Sequence, residues 1–486
     1  MIYRLRPYQE ECVKSISDYI NSDRHDPVLV IGPVGCGKSI LIAEAARLMG
    51  DKTLILQPSR ELLIQNYCKL TSYGIPATIY SASCGKKELS NMIYATLGSI
   101  KKVVGQLKEM GIRNVLIDEA HAGYSPEDGS EFMTFMNELK PRKVIGFTAT
   151  PCRLKNMSIG QTSYSQLNFI TRMRPVYFKN LIHVIQVEEM IRQGFWTPLK
   201  YETWDFNGDA LKLNSNGSEY TAESISEAVR KNGLNNLILR RLMILKNSCK
   251  SILVFMDSVE SCNTAARWMN DHIRSGIADV VHGGTPKKQR EAIVERFKSG
   301  GTQVVFNYSA LGTGFDHPGL DCVIVGRPTF SFSSFYQWLG RAVRIKDGKD
   351  SALVVHCCNN SSRFGDIREL SIENYKGYGW GMFIGDKLIT NIPMGDKVTK
   401  TDLDIKAAKK DRRRELAQGV TAAPIPGRPP HPLGSTVMAF GKDSGWMLHS
   451  IPVSYFKFIN ETFDWDNDRN KDIKEYIDFL IKNNRL

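Results

Sequence analysis

The sequence predicts an α/β protein: two tandem parallel-sheet units, about 1–200 and 201–395, and a small C-terminal α+β or irregular module. Three observations predict it. Short apolar runs alternate with helix-spaced segments from the start of the chain. That alternation begins again near residue 250. A proline- and glycine-dense stretch, TAAPIPGRPPHPLG (421–434), then sets the C-terminal residues apart as a semi-rigid linker would. Continuous apolar strands separated by helices mean sheets covered on both faces.

In the first unit PVLVIG (27–32) reads as a buried strand, and SILIAEAARLMG (39–50) as a helix stopping at Gly50. KTLILQP (52–58), NVLIDEA (114–120) and KVIGFTAT (143–150) are further strands. Residues 153–200, rich in Arg, Gln and aromatics, read as a partly helical connector. In the second unit SILVFMDS (251–258), ADVVHGG (278–284), TQVVFNYS (302–309), DCVIVGRP (321–328) and ALVVHC (352–357) are strands, and SCNTAARWMNDHI (261–273) is a helix. KAAKKDRRRELAQ (406–418) reads as a basic helix inside a 396–434 linker region, and the last unit runs from 435 to 486.

The chain has 486 residues, 42% hydrophobic and 24% charged, which supports real cores and excludes global disorder. Single cores seldom grow past about 250–300 residues, so two to four domains are expected. A net charge of +13 favours a polyanionic partner, either nucleic acid or an anionic membrane surface. No apolar run is long enough to span a bilayer, and the charged start MIYRLRPYQEE is no secretory signal. The ten cysteines are scattered without a C-x-x-C pair, and Cys357–Cys358 has no second pair at zinc spacing. Structural zinc is therefore not expected, and a reducing, cytoplasmic compartment is.

GPVGCGKS (32–39) fits G-x-x-x-x-G-K-[ST] between a strand and a helix. Gly32, Gly35 and Gly37 let backbone amides wrap phosphates, and the helix N-terminus adds positive potential. Lys38 is expected to reach the β- and γ-phosphates, and Ser39 to hold Mg2+. Downstream, VLIDEAH (115–121) is an apolar strand ending in two carboxylates. Asp118 is placed to hold Mg2+, and Glu119 to orient and deprotonate the attacking water. A solvated Asp–Glu pair is the alternative reading. Cys36, at a helix N-terminus beside Lys38, is expected to be a reactive thiol that ATP protects.

The phosphate loop and DEAH string together resemble the superfamily 2 DEAH-box helicases and translocases, and further motifs of that superfamily follow in order. The resemblance covers roughly residues 1–395 and implies two RecA-like domains. RPYQ (6–9) resembles the motif that selects ATP, which implies nucleotide contacts for Arg6, Tyr8 and Gln9, with Gln9 reading the adenine edge. PSRELLIQ (58–65) and ATLGS (95–99) resemble strand-contacting motifs and imply nucleic-acid contacts for Ser59, Arg60, Thr96 and Gly98. FTATP (147–151) resembles motif III, with Thr148 and Thr150 between the ATP site and the strand. ILVFMDS (252–258) resembles motif IV, and HGGTPKKQRE (282–291) the element after it, with His282 and Thr285 on nucleic acid. LGTGFDHPGLDCVIVGRPT (311–329) resembles motif V, where Thr313 is implied on the strand and Gly314 and Asp316 on ribose or phosphate. QWLGRAVR (337–344) resembles motif VI, which gives Gln337 a nucleotide contact and makes Arg341 and Arg344 arginine fingers. Three residues apart, the two arginines would share a helix face.

Within the superfamily, GFWTPLKY (194–201) and HCCNNSSRFGDI (356–367) are similar to the DNA-directed RadD-like, UvsW-like and restriction-motor relatives. The second departs from the RadD-like pattern at His356 and Phe364. MAFGKDSGWMLHSIPVSYFKFI (438–459) resembles the small FGK module found beside exonuclease-X-type nucleases, through Phe440, Gly441, Lys442, Gly445, Ile451, Pro452 and Tyr455, with Phe458 in a tryptophan place. It implies DNA targeting or a protein partner, although most aromatics of so small a unit must form its core. The expected function is an ATP- and Mg2+-dependent DNA helicase or translocase acting on single-stranded, forked or branched DNA in repair, recombination or replication. An RNA helicase, or the ATP-driven clamp or translocase subunit of a nuclease or restriction assembly, are the alternatives, and no membrane partner is expected.

Overall fold

The computed structural model describes residues 4–50, 52–124, 126–127, 129–159, 162–311, 315–376, 378–408, 431–436, 438, 447–451, 453–462, 470–484 and 486. They form two compact units, one from the N-terminus to about Val398 and one C-terminal.

The first unit contains both large sheets. Its strands are β1 (Val28–Ile31), β2 (Thr53–Leu56), β3 (Thr78–Ser81), β4 (Lys86–Lys87), β5 (Met92–Ala95), β6 (Asn114–Ile117), β7 (Lys143–Thr148), β8 (Cys152–Ile159), β9 (Thr162–Phe169) and β10 (Asn180–Val184), then β11 (Leu199–Thr203), β12 (Ile252–Phe255), β13 (Ala278–His282), β14 (Val304–Tyr308), β15 (Cys322–Val325) and β16 (Ala352–His356). The first sheet has the order β10-β1-β7-β6-β2-β5-β3-β4, and the second β11-β16-β15-β12-β14-β13. Every neighbouring pair in the two sheets is parallel except the β3–β4 edge. The expected pair of RecA-like parallel-sheet domains is what the chain forms.

The apolar runs behave as two-faced strands should. On β12, Ile252 and Val254 enter one core and Leu253 and Phe255 the other, because side chains alternate faces with period two. The strand-ending segments at 32–39, 57–60, 96–98, 118–121 and 148–151 all leave the first sheet at its carboxyl edge. In open parallel sheets that edge is where ligands bind.

Residues 153–200 are partly helical, as expected, but also carry strands that the sequence reading did not give. β8 and β9 form an antiparallel hairpin paired from Cys152–Phe169 to Ile159–Thr162, and β10 adds to the first sheet beside β1. The short helix Val187–Arg192 precedes the crossing to β11. β10 is half-buried along its length, so it lacks the continuous apolar run that marks the inner strands.

In the C-terminal unit, helices Val453–Thr462 and Lys471–Lys482 enclose a core that includes Leu448, Ile451, Phe456, Tyr476, Ile477 and Leu480. Tyr455 is buried, as expected for a core aromatic, whereas Phe458 is 58% exposed. The basic segment beyond residue 408, the linker to 430, and Phe440, Gly441, Lys442, Gly445 and Pro452 lie outside the described residues.

Candidate functional site: a nucleotide cleft shared by two lobes

β1 ends at Ile31 and the loop that follows is tied to β7 by Gly32 N–H donating to the Thr148 carbonyl at 3.0 Å. Gly35 and Gly37 hold φ of +87° and +82°, and Gly37 caps helix Lys38–Met49. A side chain cannot replace either hydrogen cheaply. A Cβ on Gly37 would fall 2.6 Å from Gln9 Nε2, and one on Gly35 3.3 Å from Val343.

Lys38 Nζ lies 2.5 Å from Glu119 Oε1, an ion pair between the start of the helix after the loop and the end of β6. Glu119 sits at φ +46°, a conformation unusual for a non-glycine residue and worth about 1–3 kcal/mol of strain. Burial acts to raise its pKa, but Lys38, His121 and Arg341 outweigh that and hold the carboxyl below its ordinary value. Asp118 is 3% exposed; its oxygens accept from Asn66 Nδ2 at 2.8 Å and from the Glu119 amide at 2.9 Å. Burial, then the Glu119 charge, push its pKa above the ordinary carboxylate value. The His121 ring joins Thr148 Oγ1 through Nδ1 at 2.8 Å, and Thr150 Oγ1 and Ser333 Oγ through Nε2, each at 3.1 Å.

The second lobe completes the cleft. Asp316, Gln337, Arg341 and Arg344 line the same cavity as Gly35, Gly37, Lys38, Ser39, Asp118 and Glu119. Arg344 Nε lies 3.3 Å from Asp316 Oδ1, and Arg341 donates to the Phe315 carbonyl. Burial and the neighbouring Arg344 charge push the Arg341 pKa down to about 10. The shared-face expectation for the two arginines needs correcting. The helix Phe332–Leu339 ends before them, and the carbonyls of Ala342, Val343 and Arg344 are taken by Lys349 and Thr197. Both arginines still reach the cavity, from a turn.

Four other expectations change. Tyr8 and Gln9 are 0% and 2% exposed, and both donate to the Cys36 carbonyl, at 3.1 and 2.8 Å. They brace the loop from its buried side. Arg6, half-buried, donates to Tyr8 Oη at 3.1 Å. Thr148 and Thr150 are fully buried in the His121 network, so their direct contact with a strand is closed off in this structure. Thr285 is 6% exposed and accepts the His282 amide at 3.0 Å, closing a turn. Cys36 is fully buried, and burial pushes its thiol up to about 11 despite Lys38 and Arg344, which overturns the reactive-thiol reading.

Ser59 caps helix Arg60–Thr71 by accepting the Leu62 amide at 3.3 Å, with Arg60 half-buried beside it. Thr96 Oγ1 donates to Ser99 Oγ at 3.1 Å, and Gly98 is exposed. Thr313 and Gly314 lie outside the described residues. Sequence reading missed Leu62, Gln65 and Lys69, which also line the cavity. Their spacing of three, then four, residues on the helix after Ser59 was a legible sign of one face.

The donor set fits a nucleoside triphosphate with magnesium: four cations, Lys38, Lys69, Arg341 and Arg344, a loop whose glycines leave no room for a Cβ at Gly35 and Gly37, and a carboxylate at a strand end. Fold and cavity resemble those of superfamily 2 helicase-type ATPases. Residues 2–153 match the family described as type III restriction enzyme, res subunit, and residues 234–346 match the helicase conserved C-terminal domain. The putative ATP-dependent helicase IRC3 of Saccharomyces cerevisiae is 24% identical over 74% of this chain and 52% of its own length. A 51.5 kDa protein of a Lactococcus phage is 25% identical over 68% of this chain and 66% of its own. The matched region thus spans between about half and two thirds of those relatives. The DNA-bound type ISP restriction-modification enzyme LlaBIII shares the fold, with a TM-score of 0.53 at 15% identity, over 87% of this chain and 31% of that one. No helix among the described residues is long and apolar enough to cross a membrane.

Proposed function

We propose that this chain is an ATP-driven DNA helicase or translocase of the DNA-directed branch that includes RadD-like and UvsW-like proteins, acting on single-stranded, forked or branched DNA. One observation carries the reading: Lys38 and Glu119 of the first lobe face Arg341 and Arg344 of the second across one cavity. Hydrolysis there requires the lobes to be closed on each other, so turnover is coupled to lobe motion.

Lys38 and the loop amides would take the phosphates, and Ser39 and Asp118 would hold Mg2+, which supplies charge neutralisation of the phosphate oxygens. Lys38 is paired with Glu119, so a phosphate that draws Lys38 away frees that carboxylate to accept a proton from water. Arg341 and Arg344 would stabilise charge on the transferring group. Ser59, Arg60, Thr96 and Gly98 follow strand ends, and His282 ends β13, at the carboxyl edges of the two sheets, which supports a strand path there. The net charge of +13 supports a polyanionic partner. The C-terminal unit is read as a DNA- or protein-docking module.

The test is ATPase activity titrated with single-stranded DNA, forked DNA and RNA at several salt concentrations. DNA stimulation that falls steeply with salt is expected, and stimulation by RNA alone would overturn the reading. The match to the restriction-subunit family favours one second reading, a translocase subunit that moves without displacing strands. ATPase with no strand displacement by the isolated chain would select it.

A further inference from the structure

The chain crosses from the first sheet to the second through residues 194–198, and three consecutive side chains there reach three parts of the cleft. The Phe195 ring stands edge-on to Tyr8, centroids 5.2 Å apart, with the Arg6 guanidinium 4.5 Å from its centre. The Trp196 indole N–H donates to the Val34 carbonyl of the phosphate loop at 2.9 Å. Thr197 donates its amide to the Val343 carbonyl at 2.9 Å and its hydroxyl to the Arg344 carbonyl at 2.6 Å. Trp196 and Thr197 are 3% and 2% exposed.

The loop and the arginine segment touch where this crossing binds them. A Cβ on Gly340 would lie 2.6 Å from Val34, and one on Gly35 would meet Val343 and Trp196 Nε1 within 3.4 Å. Lys349 Nζ supports the same backbone, donating to the Ala342 and Arg344 carbonyls at 2.8 Å each. The carbonyls that a longer helix would have paired with its own amides are thus held from outside.

We propose that Trp196 and Thr197 are positioning residues that set Arg344 against the phosphate loop. This rests on the ATPase reading above. Adjacent Cα atoms across a trans peptide are about 3.8 Å apart. Two neighbouring residues anchored on opposite lobes therefore fix the separation of loop and arginine backbone closely. Opening the cleft must break the Trp196 bond, the Thr197 bonds, or both, so the crossing is where lobe motion meets the arginine. A simple tether would need neither the indole N–H nor the hydroxyl.

The experiment uses the full chain and two single variants. Thr197→Val keeps the shape and the amide bond and removes the hydroxyl. Lys349 still serves the Arg344 carbonyl, so no buried acceptor is stranded. Trp196→Phe removes the indole N–H. ATPase kcat and KM, the Kd for a non-hydrolysable ATP analogue, and Tm are measured, with Thr197→Ser as the rescue. kcat should fall about tenfold in each variant, Kd should stay within about twofold, and Thr197→Ser should recover kcat. Wild-type kcat in Thr197→Val, a loss that Thr197→Ser does not recover, or parallel losses of Kd and Tm would overturn it. A wild-type chain without ATPase sinks the ATPase reading and this inference together, and that control separates the two failures.

Discussion

Ser333 Oγ lies 3.1 Å from Nε2 of His121, so one hydrogen bond joins the helix that leads into the arginines to the strand end that carries Asp118 and Glu119. Thr150 Oγ1 closes the triangle, 3.1 Å from the ring and 3.2 Å from Ser333. Burial pushes the His121 pKa down to about 4, so the ring is neutral near pH 7, one nitrogen donating and the other accepting. Ser333→Ala leaves the His121 bonds to Thr148 and Thr150 in place and removes the hydroxyl's bonds to His121 and Thr150. Basal ATPase should stay within about twofold, while stimulation by nucleic acid should drop about three- to tenfold. Undiminished stimulation in a DNA titration would show that this bond does not couple the lobes.

The Lys38–Glu119 pair gives the two residues separable defects. Glu119→Gln should lower kcat by about 10²–10⁴ while ATP still binds. Lys38→Ala should weaken ATP binding as well as turnover. Equilibrium binding of a fluorescent ATP analogue beside steady-state ATPase distinguishes them, and wild-type turnover in Glu119→Gln would remove Glu119 from the chemistry.

Burial decides the behaviour of the phosphate-loop thiol. Cys36 is fully enclosed, whereas Cys68 is exposed. Alkylation of the native chain should label Cys68 first and leave Cys36 untouched with or without ATP. Peptide mass spectrometry reads this directly, and ATP-protected labelling of Cys36 would contradict the buried geometry.

Three histidines should make the fold sensitive to acid. Burial pushes His121, His317 and His356 each down to about 4 from an ordinary value near 6.5. The unfolded chain therefore binds protons between about pH 6.5 and 4 that the native chain refuses. This stability is present in full above about pH 6.5 and is lost as pH falls towards 4. Tm measured from pH 7.5 to 5 should fall, and His317→Gln should flatten part of the slope. A Tm independent of pH over that range would count against neutral, buried rings.

The sequence by itself determined what depends on near neighbours along the chain. The period of apolar runs identified β1, β2, β6, β7 and β12 to β16, and the glycines of 32–39 announced a loop that wraps phosphate ahead of a helix. The order of the motifs placed Lys38 and Arg344 on different lobes. The tertiary structure decided what depends on distant partners. Tyr8, Gln9, Thr148 and Thr150 carry groups that could meet a ligand, yet the packing around Cys36 and His121 claims them. Desolvation of Cys36 outweighs the nearby positive charge, and the amount of burial is not written in the local string. The helix before the arginines stops at Leu339, and the Val343 and Arg344 carbonyls that a longer helix would have used are bound by Thr197, far away along the chain, with nearby Lys349 on Ala342 and Arg344. Local pattern fixes which backbone segments form. Burial, and the competition for each polar group, is settled only when the segments meet.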